Sequence, residues 1–114
     1  MKNIIFFNRK SFFVVILFIF SFFINQYYGG RGIFPIDSFL IFDAAHNILL
    51  GNHPFKDYWI ITGPFLDYLQ ALFFLIFQVN WFSYVLHASL LNVVLTCFSF
   101  YFFLNIGLKN FYAF

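Results

Sequence analysis

Four carboxylates are all the acid this chain of 114 residues possesses, and they run from Asp37 to Asp67. Asp37, Asp43, Asp57 and Asp67 stand with Arg31, Lys56, His46 and His53 among turn residues: Gly29-Gly30-Arg31-Gly32, then Gly51-Asn52-His53-Pro54, then Gly63-Pro64. Five of the ten charged residues lie between Asn25 and Ile61. Asp37 and Asp43 are the candidates for chemistry, because a carboxylate held outside an apolar phase can act as a general base. Each also has a plainer role. Asp37 is placed to cap a helix beginning at Ser38, and a capping carboxylate keeps a lone pair free. Asp43 fits the solvated face of that helix. His46 and His53 lie near the acids, but HxxxH and HExxH spacings are absent, so no metal site is expected. Walker, GxSxG and GxGxxG motifs are absent too.

Asp67 belongs to a different setting, an apolar segment opened by Pro64. An ionised Asp at the centre of a bilayer costs roughly 2.5–3.5 kcal/mol on the insertion scale, and less at the interface, which lies one turn away at Pro64. On a helical wheel Gly63, Asp67, Gln70 and Gln78 share one face, which should turn toward protein. Hydrogen bonding between helices would use that face, and so would the wall of a substrate cavity.

These residues must be positioned by very apolar surroundings. The chain is 63% hydrophobic, 28% aromatic and 9% charged. A water-soluble domain of this size cannot hide so much apolar surface, whereas a lipid solvent removes the need to hide it. The net charge of +2 comes from few groups. No basic patch with interleaved polar residues exists, so nucleic acid is not an expected partner. Cys97 is the only cysteine, which excludes a disulfide within the chain and a cysteine-based metal site.

The expected architecture is all-α and integral to a membrane, with about three transmembrane helices and one interfacial helix. Residues 1–10, with Lys2, Arg9 and Lys10, form a cytoplasmic N-terminus under the positive-inside rule. Residues 11–28 form transmembrane helix 1, closed by a Tyr27-Tyr28 belt. The bulky Asn25-Gln26-Tyr27-Tyr28 lacks a small-residue cleavage pattern, so this helix reads as a retained signal anchor. Residues 29–62 form an extracytoplasmic loop carrying an interfacial helix at 38–50. Asp43, His46 and Asn47 make its one narrow polar stripe. Residues 63–79 and 82–105 form helices 2 and 3, joined by a tight turn at Asn80, and 106–114 close the chain. In this topology Asn80 lies inside and Phe114 outside. Helix 3 carries two polar stripes, Ser89, Asn92, Thr96 and Ser99 on one side and Ser83, His87 and Asn105 on the other, which suggests packing between two neighbours.

The run from Asp37 through Ala44-Ala45-His46 and Gly51-Asn52-His53-Pro54-Phe55-Lys56-Asp57-Tyr58, then Gly63-Pro64-Phe65-Leu66-Asp67-Tyr68-Leu69-Gln70-Ala71 and Phe74-Leu75-Ile76-Phe77, resembles the GT-C membrane glycosyltransferases. The nearest groups are the protein-mannosyltransferase and aminoarabinose-transferase relatives of glycosyltransferase family 39 and the lipopolysaccharide galacturonosyltransferase-like proteins. The similarity lies in the first extracytoplasmic loop and the second membrane helix. It covers about residues 10 to 105, on degenerate motifs. Gln78 stands where those proteins usually have Gly.

The resemblance implies that this chain is the N-terminal portion of a larger helical bundle in a bacterial inner membrane. It implies sugar transfer from a polyprenyl-phosphate donor to a lipid or glycan acceptor. Asp37 would match the catalytic loop acid. Asp43, Lys56 and Asp57 would match loop positions near the active site. Arg31 or Lys56 would hold the leaving phosphate, Arg as a planar fork and Lys as a point charge. Asp67 would contribute to the substrate cavity. The resemblance leaves the cofactor unknown, and further helices of the parent or a second copy would complete the site. Two other readings keep the same helices: a small non-catalytic membrane subunit, and a transporter fragment with Asp67 as a proton or ion site.

Overall fold

The computed structural model describes residues 9–32, 35–61 and 63–114, with backbone only at 35–37. Five helices account for most of them: α1 (Arg9–Gly29), α2 (Pro35–Leu49), α3 (Pro64–Phe77), α4 (Trp81–Asn105) and the single turn α5 (Asn110–Ala113). Among the described residues there is no β-strand; the one bridge pairs Pro54 with Tyr58. Among the described residues two helices, against the three expected, are long and apolar enough to cross a membrane by length and composition: α1 and α4. At 14 residues α3 is about 21 Å long, against a hydrocarbon core of about 30 Å.

The sequence sets each boundary through a local device. Helix α2 starts at Pro35, three residues before the expected Ser38. Pro35 needs no N–H partner there and its fixed φ suits a first helical position. Asp37 is therefore inside the first turn rather than at the cap, and its side chain lies outside the described residues. The helix ends where Gly51 takes φ of +89°. Gly51 N then donates to Ile48 O at 3.0 Å and Asn52 N to Asn47 O at 3.1 Å, so the last carbonyls are satisfied. Helix α3 has Gly63 in extended conformation at its cap and Pro64 behind it. Asn80 caps α4: its Oδ1 accepts from Ser83 N at 2.8 Å while its Nδ2 donates to Phe77 O at 2.8 Å.

The chain forms two compact units, Gln26–Ala88 and a second made of Met1–Asn25 with Ser89–Phe114. In Gln26–Ala88 the principal helix pair is α2 with α3. Ala45 and Ala71 are buried at its centre with Phe74, and Phe42, Ile48, Leu49 and Tyr84 pack around them. Small residues let the two backbones approach, and the Phe42 and Phe74 rings then meet edge to face at 4.8 Å. In the same unit Trp81 Nε1 donates to Gly29 O at 2.8 Å, joining the end of α1 to the start of α4.

In the other unit α1 and α4 again run in opposite directions. Ser21 Oγ meets Thr96 Oγ1 at 3.2 Å, and the Phe13 ring lies 6.4 Å from that of Phe100. Arg9 and Lys109 line one cavity. A three-crossing topology would separate Gly29 from Trp81, and Arg9 from Lys109, by a full membrane thickness. In the structure Gly29 and Trp81 are instead hydrogen-bonded, and Arg9 and Lys109 line the same cavity. Helix α1 is also inside out by the standards of a protein in water. Along α1 the one buried residue is Ser21, while Phe12, Phe18, Phe20 and Phe23 are exposed.

Candidate functional site

Helix α2, the segment 58–61 and the first turn of α3 enclose a cavity of about 340 Å³. Phe39, Leu40, Asp43, Ala44 and Asn47 come from α2; Tyr58, Trp59, Ile60 and Ile61 from the connecting segment; Asp67 from α3. Spacing explains the α2 contribution, because 39, 40, 43, 44 and 47 follow the i, i+4 repeat of one helical face. The connecting segment is bent into place by a compact turn. Phe55 takes φ of +66°, a costly conformation for a bulky residue. Phe55 N donates to Tyr58 O at 2.8 Å, Asp57 N to His53 O at 2.9 Å, and His53 N to Asp57 Oδ2 at 2.8 Å. Tyr58 is then fixed by its hydroxyl, which donates to Ala44 O at 3.1 Å.

Asp67 lies at the buried end of the site, 1% exposed. Among the described residues, neither of its oxygens accepts a hydrogen bond. Burying an ionised carboxylate without a partner costs several kcal/mol, and burial accordingly raises the Asp67 carboxyl above the ordinary carboxylate range. Its charge reaches the Tyr58 phenol. Burial first, then the neighbouring Asp67 and Tyr68, raise the Tyr58 hydroxyl above the ordinary phenol range. The open end is marked by Asp43, which is exposed, and by the Trp59 indole at 80% exposure. Asn47 donates from Nδ2 to Asp43 O at 3.0 Å and accepts at Oδ1 from Asn52 Nδ2 at 3.3 Å.

A second buried polar group lies deeper between the helices. Gln70 and His87 are both buried, and His87 Nδ1 meets Gln70 Oε1 at 2.6 Å. Their remaining nitrogens, Gln70 Nε2 and His87 Nε2, have no hydrogen-bond partner among the described residues, and neither has Ser83 Oγ. Asp67 and Gln70 do turn inward as the helical wheel requires, whereas Gly63 and Gln78 on the same wheel are exposed.

The acids and cations singled out from sequence divide between the cavity and its surroundings. Asp43 and Asp67 line the cavity together. Lys56 and Asp57 do not: they form an exposed ion pair at 3.8 Å, and Asp57 serves the turn. Arg31 lies after α1 with its guanidinium 4.2 Å from the Tyr27 ring centroid, a cation–π contact outside the cavity. Asp37 lies in α2, with its side chain outside the described residues. Sequence reasoning missed Asn47, Tyr58 and Trp59 as lining residues. The Lys56-Asp57-Tyr58-Trp59 cluster beside Pro54 held the signal, since two aromatics in a short polar loop are unusual unless something covers or uses them. Among the described residues no group of three or more His, Cys, Asp or Glu side chains could hold a metal ion. No family model matches this chain, and no curated protein or solved structure matches it.

Proposed function

We propose that this chain is a helical membrane protein of the bacterial inner membrane, the N-terminal part of a glycosyltransferase that moves a sugar from a polyprenyl-phosphate donor to an extracytoplasmic lipid or glycan acceptor. In this reading α1 and α4 cross the bilayer, and α2 and α3 form a hairpin on the outer face. Arg9, Lys10 and Lys109 then share the cytoplasmic side, in keeping with the positive-inside rule. Two crossings replace the three expected from sequence, and α3 takes the place of the second membrane helix in the GT-C resemblance.

The observation that carries the reading is the cavity. It gathers two carboxylates, an amide and three aromatic rings in the segment between two apolar helices. Carboxylate and amide oxygens accept hydrogen bonds from hydroxyls, and an aromatic face covers the apolar side of a ring. A lipid-linked sugar would present its reacting bond at headgroup height, where the hairpin lies. Phosphate would be held outside the cavity, where Arg31 and Lys56 stand, because Asp43 and Asp67 repel it. Asp37 remains the candidate base.

The test is sugar transfer in membranes carrying the complete protein, with polyprenyl-phosphate-linked sugars as donors. Asp37→Asn is expected to insert normally and lose about 10²–10⁴-fold in rate, the usual contribution of a general base. Near-normal transfer by Asp37→Asn removes Asp37 from the chemistry. Absence of transfer by the unaltered protein with every donor contradicts the transferase reading and favours a non-catalytic subunit.

A further inference from the structure

The charge of the cavity narrows what can enter it. Among the described residues that line it, two are aspartates and none is Lys, Arg or His. The cations nearest in sequence are already engaged elsewhere: Arg31 on the Tyr27 ring, Lys56 with Asp57. Asp67 is buried in the wall with both oxygens unpaired among the described residues. Native proteins rarely leave a buried carboxylate so, and the exceptions call for a proton, an ion or a ligand as the missing partner. Three aromatic side chains, Phe39, Tyr58 and Trp59, share the lining.

From this arrangement we infer that the cavity is a binding site for a small organic cation, a protonated or quaternary ammonium group on a compact carbon frame. The negative field of Asp67 and Asp43 supplies the attraction, and the aromatic faces supply cation–π contact and apolar cover. A bare metal ion suits the site poorly. The volume of about 340 Å³ lies in the range of small-molecule sites, and a divalent ion needs more convergent oxygen ligands than two carboxylates and an amide provide. The inference requires only the cavity, and holds whether or not the protein transfers sugar.

The experiment uses the full chain in neutral detergent micelles, followed by the ¹H–¹⁵N indole resonances. The chain has two tryptophans, and only Trp59 lines the cavity. Choline is the probe, 3,3-dimethylbutanol its neutral isostere, and magnesium the inorganic control. Choline should shift the Trp59 resonance saturably and leave Trp81 in place, and the isostere should bind at least about tenfold more weakly, the equivalent of one modest charge interaction. Asp67→Asn should weaken choline by a similar factor. Trp59→Leu, at an exposed position that the fold does not need, should weaken it as well. Equal binding of choline and the isostere overturns the proposal in favour of a plain apolar pocket. Saturation by magnesium with no response to choline overturns it in favour of a metal site. Undiminished choline binding by both variants places the cation elsewhere and also overturns it.

Discussion

The unit Gln26–Ala88 and the unit that joins Met1–Asn25 to Ser89–Phe114 are built from the same apolar alphabet, yet treat polar groups in opposite ways. In the terminal unit the polar contacts close. Ser21 meets Thr96, Asn25 Nδ2 donates to Ser21 O at 2.7 Å, and Ser99 Oγ donates to Leu95 O at 2.8 Å. Its cavity, about 840 Å³, is lined among the described residues by Arg9, Lys109, Asn110 and three phenylalanines, with no acid among them. In the central unit the accounts stay open. The unpaired buried side-chain atoms among the described residues, on Asp67, Gln70, Ser83 and His87, all belong to it. A fold tolerates such conflict where function requires it. The terminal unit therefore reads as scaffold and the central unit as the working part.

The comparison is open to attack first at the close approach of Gly29 to Val85 in the central unit. A Cβ on Gly29 would stand 2.5 Å from Val85 Cγ1 and 2.9 Å from Cγ2. Gly29→Ala should lower stability by about 1–3 kcal/mol, the usual cost of overpacking. Val85→Ala in the same chain should restore part of it. Unfolding in detergent micelles measures both, and an unchanged Gly29→Ala would show that this approach is not tight.

The next effect is smaller and concerns the buried amide. Gln70→Leu strips His87 Nδ1 of its 2.6 Å partner and leaves both imidazole nitrogens unpaired. A loss of roughly 0.6–2 kcal/mol is expected, the range of interhelical hydrogen bonds in membranes. A stabilised variant would mean that the Gln70–His87 contact is repulsive.

The smallest effect belongs to the terminal unit. Ser21→Ala removes a single part-buried hydroxyl contact and should cost about 0.6 kcal/mol. Phe20 is 63% exposed, and Phe20→Leu should stay within about 0.5 kcal/mol of the parent. If Ser21→Ala costs more than Gln70→Leu, the division into scaffold and working part fails.

How much of this was legible beforehand depended on whether the signal was local. Caps and breaks are local, so Pro64, Asn80 and Gly51 marked helix ends correctly from sequence. Pro35 was less clear, because the same residue can precede a helix or begin it, and the choice moved Asp37 from cap to first turn. The crossing number was not legible for a different reason. Apolar composition is common to α1, α3 and α4, and only length and the Gly29–Trp81 contact separate a hairpin arm from a span. Within the site, Asp67 announced itself as an acid in an apolar helix. Trp59 and Asn47 did not, since their place in the cavity depends on the turn at Phe55 and on α2 lying against α3.

The central claim is that Asp67 is kept buried and unpaired for a ligand, at a cost to the fold. The stability of Asp67→Asn, measured by unfolding of the full chain in detergent at pH 8 without added cation, tests it most directly. The amide keeps the shape and removes the charge. The account predicts a variant more stable than the parent by about 1–3 kcal/mol, because the buried charge is removed while the shape is kept. A variant less stable than the parent would show that Asp67 is bonded within the fold, and would contradict the claim.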